Sequence, residues 1–511
     1  MSKNENGKFY FLLASLISFS FILRIIAYLS LRNTHYPDEV FQVTEPAHRL
    51  LFGTGYVSWE WVVGARSWLW PGIVAGFMAL GRLGGSDPDR ILLPVSLFMA
   101  ATSTLPVLCG ALWGRRFGGT AGALVVGTLN AVWVDLVYMA VHPLSDVIAG
   151  NCLILFLYLA CPQQPARTRS RLFWAGVMAG ATVVLRIQLG PALAVASIMV
   201  CGWREPDRRW LPFCAGAMIP LAALGLLDWA TLSVPFQSVI VNMKMNLVQQ
   251  VSADYGVTPW YGLLGAYFVF WGGALPIFLF CVLGGAWKLP VVAATAAVVF
   301  LTFSLFDHKE YRFAYPAIPL LVTLAGLGTT QAVSYLQRQR LPMFSSPLSV
   351  PVIAVVLWTA TSCALAASAP YATLWTRDRS FLKAFHYMAY RPDICGVALY
   401  RMSVLLTPGR SGLPLTTPLY ETDQNRLEKD AAGFNALLAW SNASMPDSQF
   451  SKAACFDGVM NGAGESRQTV CVWVRAGACT QGVALPPPVN WPAHLAGRST
   501  EGVRIDEEYQ E

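Results

Sequence analysis

Long apolar runs alternate with short polar connections through most of the chain. A membrane-spanning helix needs about 20 apolar residues. On that criterion about eleven spans are predicted, near 9–31, 91–113, 119–141, 146–161, 172–187, 190–202, 210–230, 260–285, 290–306, 314–333 and 349–369. The fifth and sixth are short, and Gly190-Pro191 breaks what would otherwise be one helix through Arg186. Charge supports the split. With two spans, Arg204, Arg208 and Arg209 share a side with Lys3, Lys8, Arg115, Arg116, Arg167, Arg169, Arg171, Arg338 and Arg340, as the cytoplasmic bias of Lys and Arg requires. The first run ends without a small-residue cleavage site and reads as an anchoring helix. The loops 32–90, 142–145, 187–189, 231–259 and 307–313 then lie outside, with everything after Pro370. That tail is turn-rich, with strand character over 469–474 and a helix expected over 431–440. The expected fold class is an all-α polytopic membrane protein, residues 1–369, followed by a small α+β extracytoplasmic domain, 370–511.

Composition agrees. Of 511 residues, 55% are hydrophobic and 13% charged, about half the charge of a soluble domain. Eighteen Trp and eighteen Tyr fit repeated crossings of membrane–water interfaces. The net charge of +7 does not imply nucleic acid, because the cations sit in clusters between apolar runs. Of the eleven cysteines, Cys395, Cys455, Cys471 and Cys479 fall in the tail. In an oxidising compartment these imply one or two disulfides, with three pairings open.

The chemistry-bearing residues gather in the outer loops. After the first span, Pro37 suits the first position of a helix, and Asp38 and Glu39 occupy its first turn, where carboxylates favour the helix dipole. Asp38, Gln42, Glu45 and Arg49 then share one face, and Phe41, Thr44, His48 and Leu51 a more apolar one. That is the pattern of an amphipathic helix at the membrane surface. From this feature alone the two acids read first as helix caps and only second as catalytic groups. Tyr56, Trp59, Glu60, Trp61, Arg66, Trp68 and Trp70 follow, suited either to an interfacial belt or to stacking on sugar rings. A second cluster, Asp307-His-Lys-Glu-Tyr-Arg-Phe313, stands at the outer end of the ninth span. Its His308, Lys309 and Arg312 fit a phosphate, or the cluster closes on itself as a salt-bridge knot. Arg186, near Gln188, is a third cation placed for an anion or for an interhelical hydrogen bond.

His35-Tyr-Pro-Asp-Glu-Val-Phe-Gln42, Gly55-Tyr-Val-Ser-Trp-Glu-Trp61 and Ala65-Arg-Ser-Trp68 resemble the first outer loop of glycosyltransferase family 22. His308-Lys-Glu-Tyr-Arg-Phe-Ala-Tyr-Pro316 resembles that family's His-Lys-Glu-x-Arg-Phe signature, and Asp228 with Asp254-Tyr-Gly-Val-Thr-Pro-Trp260 its middle loop. The Gly-Tyr-x-x-Trp-Glu-Trp run is most similar to the branch that adds the third mannose in GPI-anchor assembly. The resemblance implies a GT-C fold and an inverting transfer of mannose from polyprenyl- or dolichyl-phosphate to a lipid-linked glycan or glycolipid, with no metal, nucleotide or other cofactor. It makes Asp38 the base, with Glu39 beside it. It makes His308, Lys309 and Arg312 candidates for holding the donor phosphate, joined by Arg186 on its placement alone, and His35, Gln42, Glu45, Trp59, Glu60, Trp61, Arg66 and Tyr255 are the candidates for lining the substrate. His142-Pro-Leu-Ser-Asp146 and Arg186-Ile-Gln188 depart from the family pattern. The short loops and Ala/Gly-rich spans suggest a bacterial version, and the expected location is a bacterial inner membrane or the ER membrane, with the site on the periplasmic or lumenal face. A transporter or flippase would show inverted repeats and ionisable residues deep within spans, whereas here the charges are read as gathered at one face. A purely structural subunit would tolerate the loss of Asp38.

Overall fold

A computed structural model describes residues 3–161, 168–203, 206–338, 349–444, 449–458 and 469–480. The inner-loop cations Arg167, Arg204 and Arg340 and the last stretch of the tail, 481–511, lie outside the described residues. The chain forms two compact units. One comprises Met1–Tyr28, Met99–Phe236 and Lys244–Ala372; the other comprises Leu29–Phe98, Gln237–Met243 and Thr373–Glu511.

The first unit is helical and polytopic. Five helices are long and apolar enough to cross a membrane: Glu5–Ser30, Pro88–Val132, Arg208–Leu232, Tyr311–Arg338 and Ser349–Ala366, the second entering the unit at Met99. Ser145–Ala160, Ile187–Cys201 and Pro290–Ser304 are shorter apolar helices. Helices fall where the eleven spans are predicted, but several are broken. The 45-residue stretch Pro88–Val132 loses helical geometry at Gly118 and Gly119, where two spans are predicted to meet. The fifth and sixth spans are separate as expected, although the break falls at Arg186, whose backbone is extended. Gly190-Pro191 instead opens the following helix, the position where a missing N–H costs nothing. The single span expected over 260–285 is two helices, Gly262–Trp271 and Ala274–Ala286, bent by 110°. Gly272 makes the bend at φ 48°, a region that favours glycine.

Close packing without a hydrophobic drive needs small residues at the contacts. A Cβ on Gly176 would lie 2.0 Å from the Phe213 carbonyl oxygen, and one on Gly216 equally near that of Phe173. These glycines let the helices Arg169–Leu185 and Pro206–Leu232 touch along their backbones.

The charges are not confined to one face. Arg24 and Asp135 are both buried inside predicted spans. Arg24 donates to the carbonyls of Ala131 (3.1 Å) and Asn130 (3.4 Å) at the C-terminal end of the helix Leu105–Val132. Those carbonyls lack helical partners because Trp133 is extended. A cation there satisfies them and meets the negative end of the dipole.

The second unit holds the tail and the first outer loop. Strands β1 (Val397–Tyr400), β2 (Leu419–Thr422), β3 (Ala436–Trp440), β4 (Ser451–Phe456) and β5 (Val470–Val474) form one sheet ordered β2-β1-β3-β5-β4. β1 runs parallel to β2 and β3, and β5 antiparallel to β3 and β4. The strand expected over 469–474 is β5. The helix expected over 431–440 is instead a short 3-10 turn followed by β3. Cys395 bonds Cys479 and Cys455 bonds Cys471, which selects one of the three pairings.

Candidate active site

The Pro37-led helix forms where it is predicted. Pro37 stands at its first position after the extended Tyr36, and Asp38 and Glu39 fill the first turn. The helix then widens into a π segment, Val40–Thr44, before resuming as Glu45–Phe52. Pro46 explains the widening. It has no N–H to return to the preceding turn, and the Glu45 N–H reaches back five residues to the Val40 carbonyl. The Phe41 carbonyl is served instead by the Trp61 indole N–H at 3.1 Å.

This is not a surface helix. Val40, Phe41 and Tyr56 pack in one core with Phe381, Phe385 and Met388 of the helix Arg379–Ala389 and with alternate residues of β1, β3 and β5. Glu45 and His48 are fully enclosed. The expectation of a membrane-surface helix fails because the apolar face has a protein partner in the tail.

Three predicted residues of the loop meet. Gln42 Nε2 donates to Glu60 Oε1 at 2.8 Å, and Arg66 pairs with the same oxygen at 3.1 Å. Ser58 occupies the other oxygen at 2.7 Å. Trp61 packs on Trp68 with ring centroids 4.5 Å apart. Glu45 does something different. Its two oxygens accept the backbone N–H groups of Tyr56 (2.7 Å) and Ser411 (2.6 Å), fastening the turn around Gly409 to the loop. Burial pushes its carboxyl above the ordinary value, against those hydrogen bonds. Trp59 and Asp38 are half-buried, and Glu39 and His35 are buried.

Two residues near this motif carry no mark in the sequence. Arg377 lies 4.5 Å over the Tyr36 ring, a cation–π contact. Asp378 follows it in a left-handed conformation, φ 53°. Burial raises the Asp378 carboxyl to about 6, with Arg377 opposing the shift and the charge of Glu39 adding to it.

In the first unit, the loops around residues 256 and 308 are stitched together. The Thr258 N–H donates to the Asp307 carbonyl (2.9 Å), Lys309 Nζ to the Thr258 carbonyl (2.8 Å), and His308 Nδ1 contacts the Gly256 carbonyl (3.0 Å). Tyr255 stands beside His308, ring centroids 6.1 Å apart. His308 Nε2 meets Glu310 Oε1 at 3.0 Å, and Arg312 Nε donates to Glu310 Oε2 at 2.5 Å. Arg186 reaches Asp146 at 2.9 Å, and Arg312 lies 4.0 Å from the other oxygen of the same carboxylate. So Arg186, His308 and Arg312 are brought into one network, joined by Glu310 and by Asp146, an acid of the departing His142–Asp146 segment with no predicted role. Burial pushes Glu310 up, but Arg312 and the His308 hydrogen bond prevail and hold it at about 2. The Glu310 hydrogen bond raises His308 above its ordinary value. Lys309 spends its ammonium on carbonyls, including that of Phe306.

The Alg9-like mannosyltransferase family matches residues 15–391. GPI mannosyltransferase 3 of Yarrowia lipolytica is 29% identical over 328 residues, 62% of each chain. GPI alpha-1,2-mannosyltransferase 3 of Mus musculus is 24% identical over 361 residues, covering 64% of this chain and 62% of its own. The chain therefore spans less than two thirds of the length of these relatives. Among solved structures, ArnT from Cupriavidus metallidurans bound to undecaprenyl phosphate superposes with a TM-score of 0.59 at 13% identity, over 92% of this chain and 99% of that one. Its apo state gives 0.57. At such identity the likeness is one of fold, the GT-C architecture of polytopic membrane enzymes.

Proposed function

The chain belongs to the Alg9-like mannosyltransferase family, and from that premise we propose that it transfers mannose from a polyprenyl- or dolichyl-phosphate donor to a lipid-linked glycan or glycolipid. The acceptor hydroxyl oxygen attacks the anomeric carbon on the face opposite the phosphate. The bond from that carbon to the phosphate oxygen breaks, the hydroxyl proton passes to Asp38, and the lipid phosphate leaves with the bonding electrons. The sugar configuration inverts. An alcohol is a poor nucleophile, so a placed carboxylate must accept its proton as the bond forms. Charge grows on the departing phosphate, and fixed cations stabilise it without a metal.

The observation that carries this reading is the convergence of Arg186 and Arg312, far apart in sequence, on Asp146 beside the His308–Glu310 pair. The two acids hold the guanidinium groups in place, as preorganised phosphate ligands require. A lipid-bound donor also accounts for a polytopic enzyme, and membership of a transferase family tells against a transporter. The segregation of Arg and Lys between spans supports a reaction on the periplasmic or lumenal face.

Purified protein incubated with labelled polyprenyl-phosphate mannose and a panel of lipid-linked glycans tests the reading. Label moving to a glycan is the expected result. Release of label to none of them, by a folded enzyme, would overturn it. Arg312→Ala should weaken transfer at saturating acceptor by about 100- to 1,000-fold, the span for removing one group that stabilises developing negative charge. Unchanged donor kinetics in that variant would leave the network as a structural knot.

A further inference from the structure

We propose that Asp135 is a positioning residue for the donor site, holding the His308–Arg312 segment in place through the Tyr311 hydroxyl; the proposal rests on the reading of that segment as the donor-phosphate site. Asp135 is 1% exposed, inside the helical unit. A carboxylate at that depth is costly unless it is fully engaged, and such residues are commonly functional. Three side chains engage this one. Tyr311 and Tyr371 both donate to Oδ1, the latter at 2.9 Å, and Trp271 Nε1 donates to Oδ2 at 2.9 Å. The tyrosine hydroxyls also lie 2.9 Å from each other.

Each partner sits at an interruption of helical structure. Asp135 follows the extended Trp133, where Arg24 covers the carbonyls of the ended helix. Trp271 is the last residue before the 110° bend. Tyr311 opens the 3-10 segment Tyr311–Ala317, and Tyr371 lies in the short helix Ala369–Thr376. Chain breaks are where geometry is least determined by the helix itself, and a shared acceptor fixes all four at one point.

Tyr311 is also the residue between Glu310 and Arg312. Its ring is stacked on Phe270 (4.0 Å) and tilted against Tyr267 (4.6 Å), and its carbonyl accepts from the Tyr267 hydroxyl at 3.2 Å. With both ends of the residue tied, the adjoining Glu310 and Arg312 have little freedom to move. A donor-binding site needs that restraint, since a cation displaced by an ångström loses much of its effect.

A purely structural tie predicts loss of stability with unchanged affinity; a positioning tie predicts loss of affinity. The test measures melting temperature and Kd for undecaprenyl phosphate and for polyprenyl-phosphate mannose in nanodiscs, on the full chain. Tyr311→Phe removes one hydroxyl and keeps the ring packing, so it stays testable if Asp135→Ala does not fold. Each single variant should bind both lipids about tenfold more weakly, the size of a lost hydrogen bond to a charged group. The double variant should bind no more weakly than Asp135→Ala alone, because the two residues act along one path. A lowered melting temperature with unchanged Kd in Tyr311→Phe would overturn the proposal. Arg312→Ala separates the two levels. If it weakens binding while the Asp135 and Tyr311 variants do not, only the positioning role fails. If Arg312→Ala leaves Kd unchanged, the donor-site reading fails instead.

Discussion

Asp38 and Glu39 are neighbours in one helical turn, yet the structure leaves Asp38 half-buried and buries Glu39 to 7% exposure. On a helix they point about 100° apart, so one proton acceptor is expected, and the more accessible Asp38 is the stronger choice. Asp38→Asn should lower transfer about 100- to 10,000-fold at unchanged melting temperature. Near-full activity in that variant, with Glu39→Gln dead, would move the role to Glu39. The second prediction at this scale concerns pH. Glu310 raises His308, so the protonated imidazole persists above its ordinary titration and is lost only as pH rises through the raised value. Any donor affinity that depends on that proton is present below the ordinary histidine value and lost above the raised one. In Glu310→Gln the hydrogen bond to a carboxylate is gone, and the alkaline limb of the donor-KM profile should shift to lower pH. An unmoved limb would show that His308 does not titrate at the donor. The motif residues themselves were legible from spacing and resemblance. Their partners were not: Asp146 is 166 residues from Arg312 and Asp135 176 from Tyr311, and no local pattern announces an acid that acts across such a distance.

At the scale of elements, hydropathy located the helices but not their breaks. Gly272-Gly273 lies inside an unbroken apolar run, so only the backbone angle of Gly272 reveals the bend. The segment Ala436–Trp440 misleads in the opposite direction. Its Ala and Leu favour a helix in isolation. It forms β3 because it is paired on both sides, by β1 and β5, and its first four residues are buried on both faces, a setting in which strands read as continuous apolar runs. The cysteines gave the presence of disulfides but not their pairing, since Cys455 and Cys471 become cross-strand neighbours only once β4 and β5 are in register. The two bridges close loops of unequal length, 84 and 16 residues. The chain-entropy relation then assigns about 4.5 kcal/mol to Cys395–Cys479 and about 3 kcal/mol to Cys455–Cys471. Cys395→Ser should therefore lower the denaturant midpoint of the sheet more than Cys455→Ser does, followed by the near-ultraviolet signal of its tryptophans. The reverse order would mean that native strain outweighs loop closure.

For the whole molecule, the segregation of Arg and Lys sets a topology that labelling can check within the helical unit. Val257 and Trp203 are both well exposed, at 68% and 83%, and by charge they belong to opposite faces. Cysteines at these two positions should react with an impermeant reagent from opposite sides, measured against the unaltered chain. Reaction from one side would reverse the assignment of spans. The hydrogen bond from the Ser411 N–H to Glu45 has a further consequence, in time. These residues are 366 positions apart. At about 5–20 residues per second, the ribosome needs roughly 20–70 seconds to pass from one to the other. Throughout that interval Glu45 exists without its second backbone partner. A carboxylate denied half its hydrogen bonds resists burial, so the first outer loop should stay hydrated and open until residue 411 has been made. Its docking waits on the tail, and a chain halted before residue 411 should expose this loop to protease however well its spans have inserted.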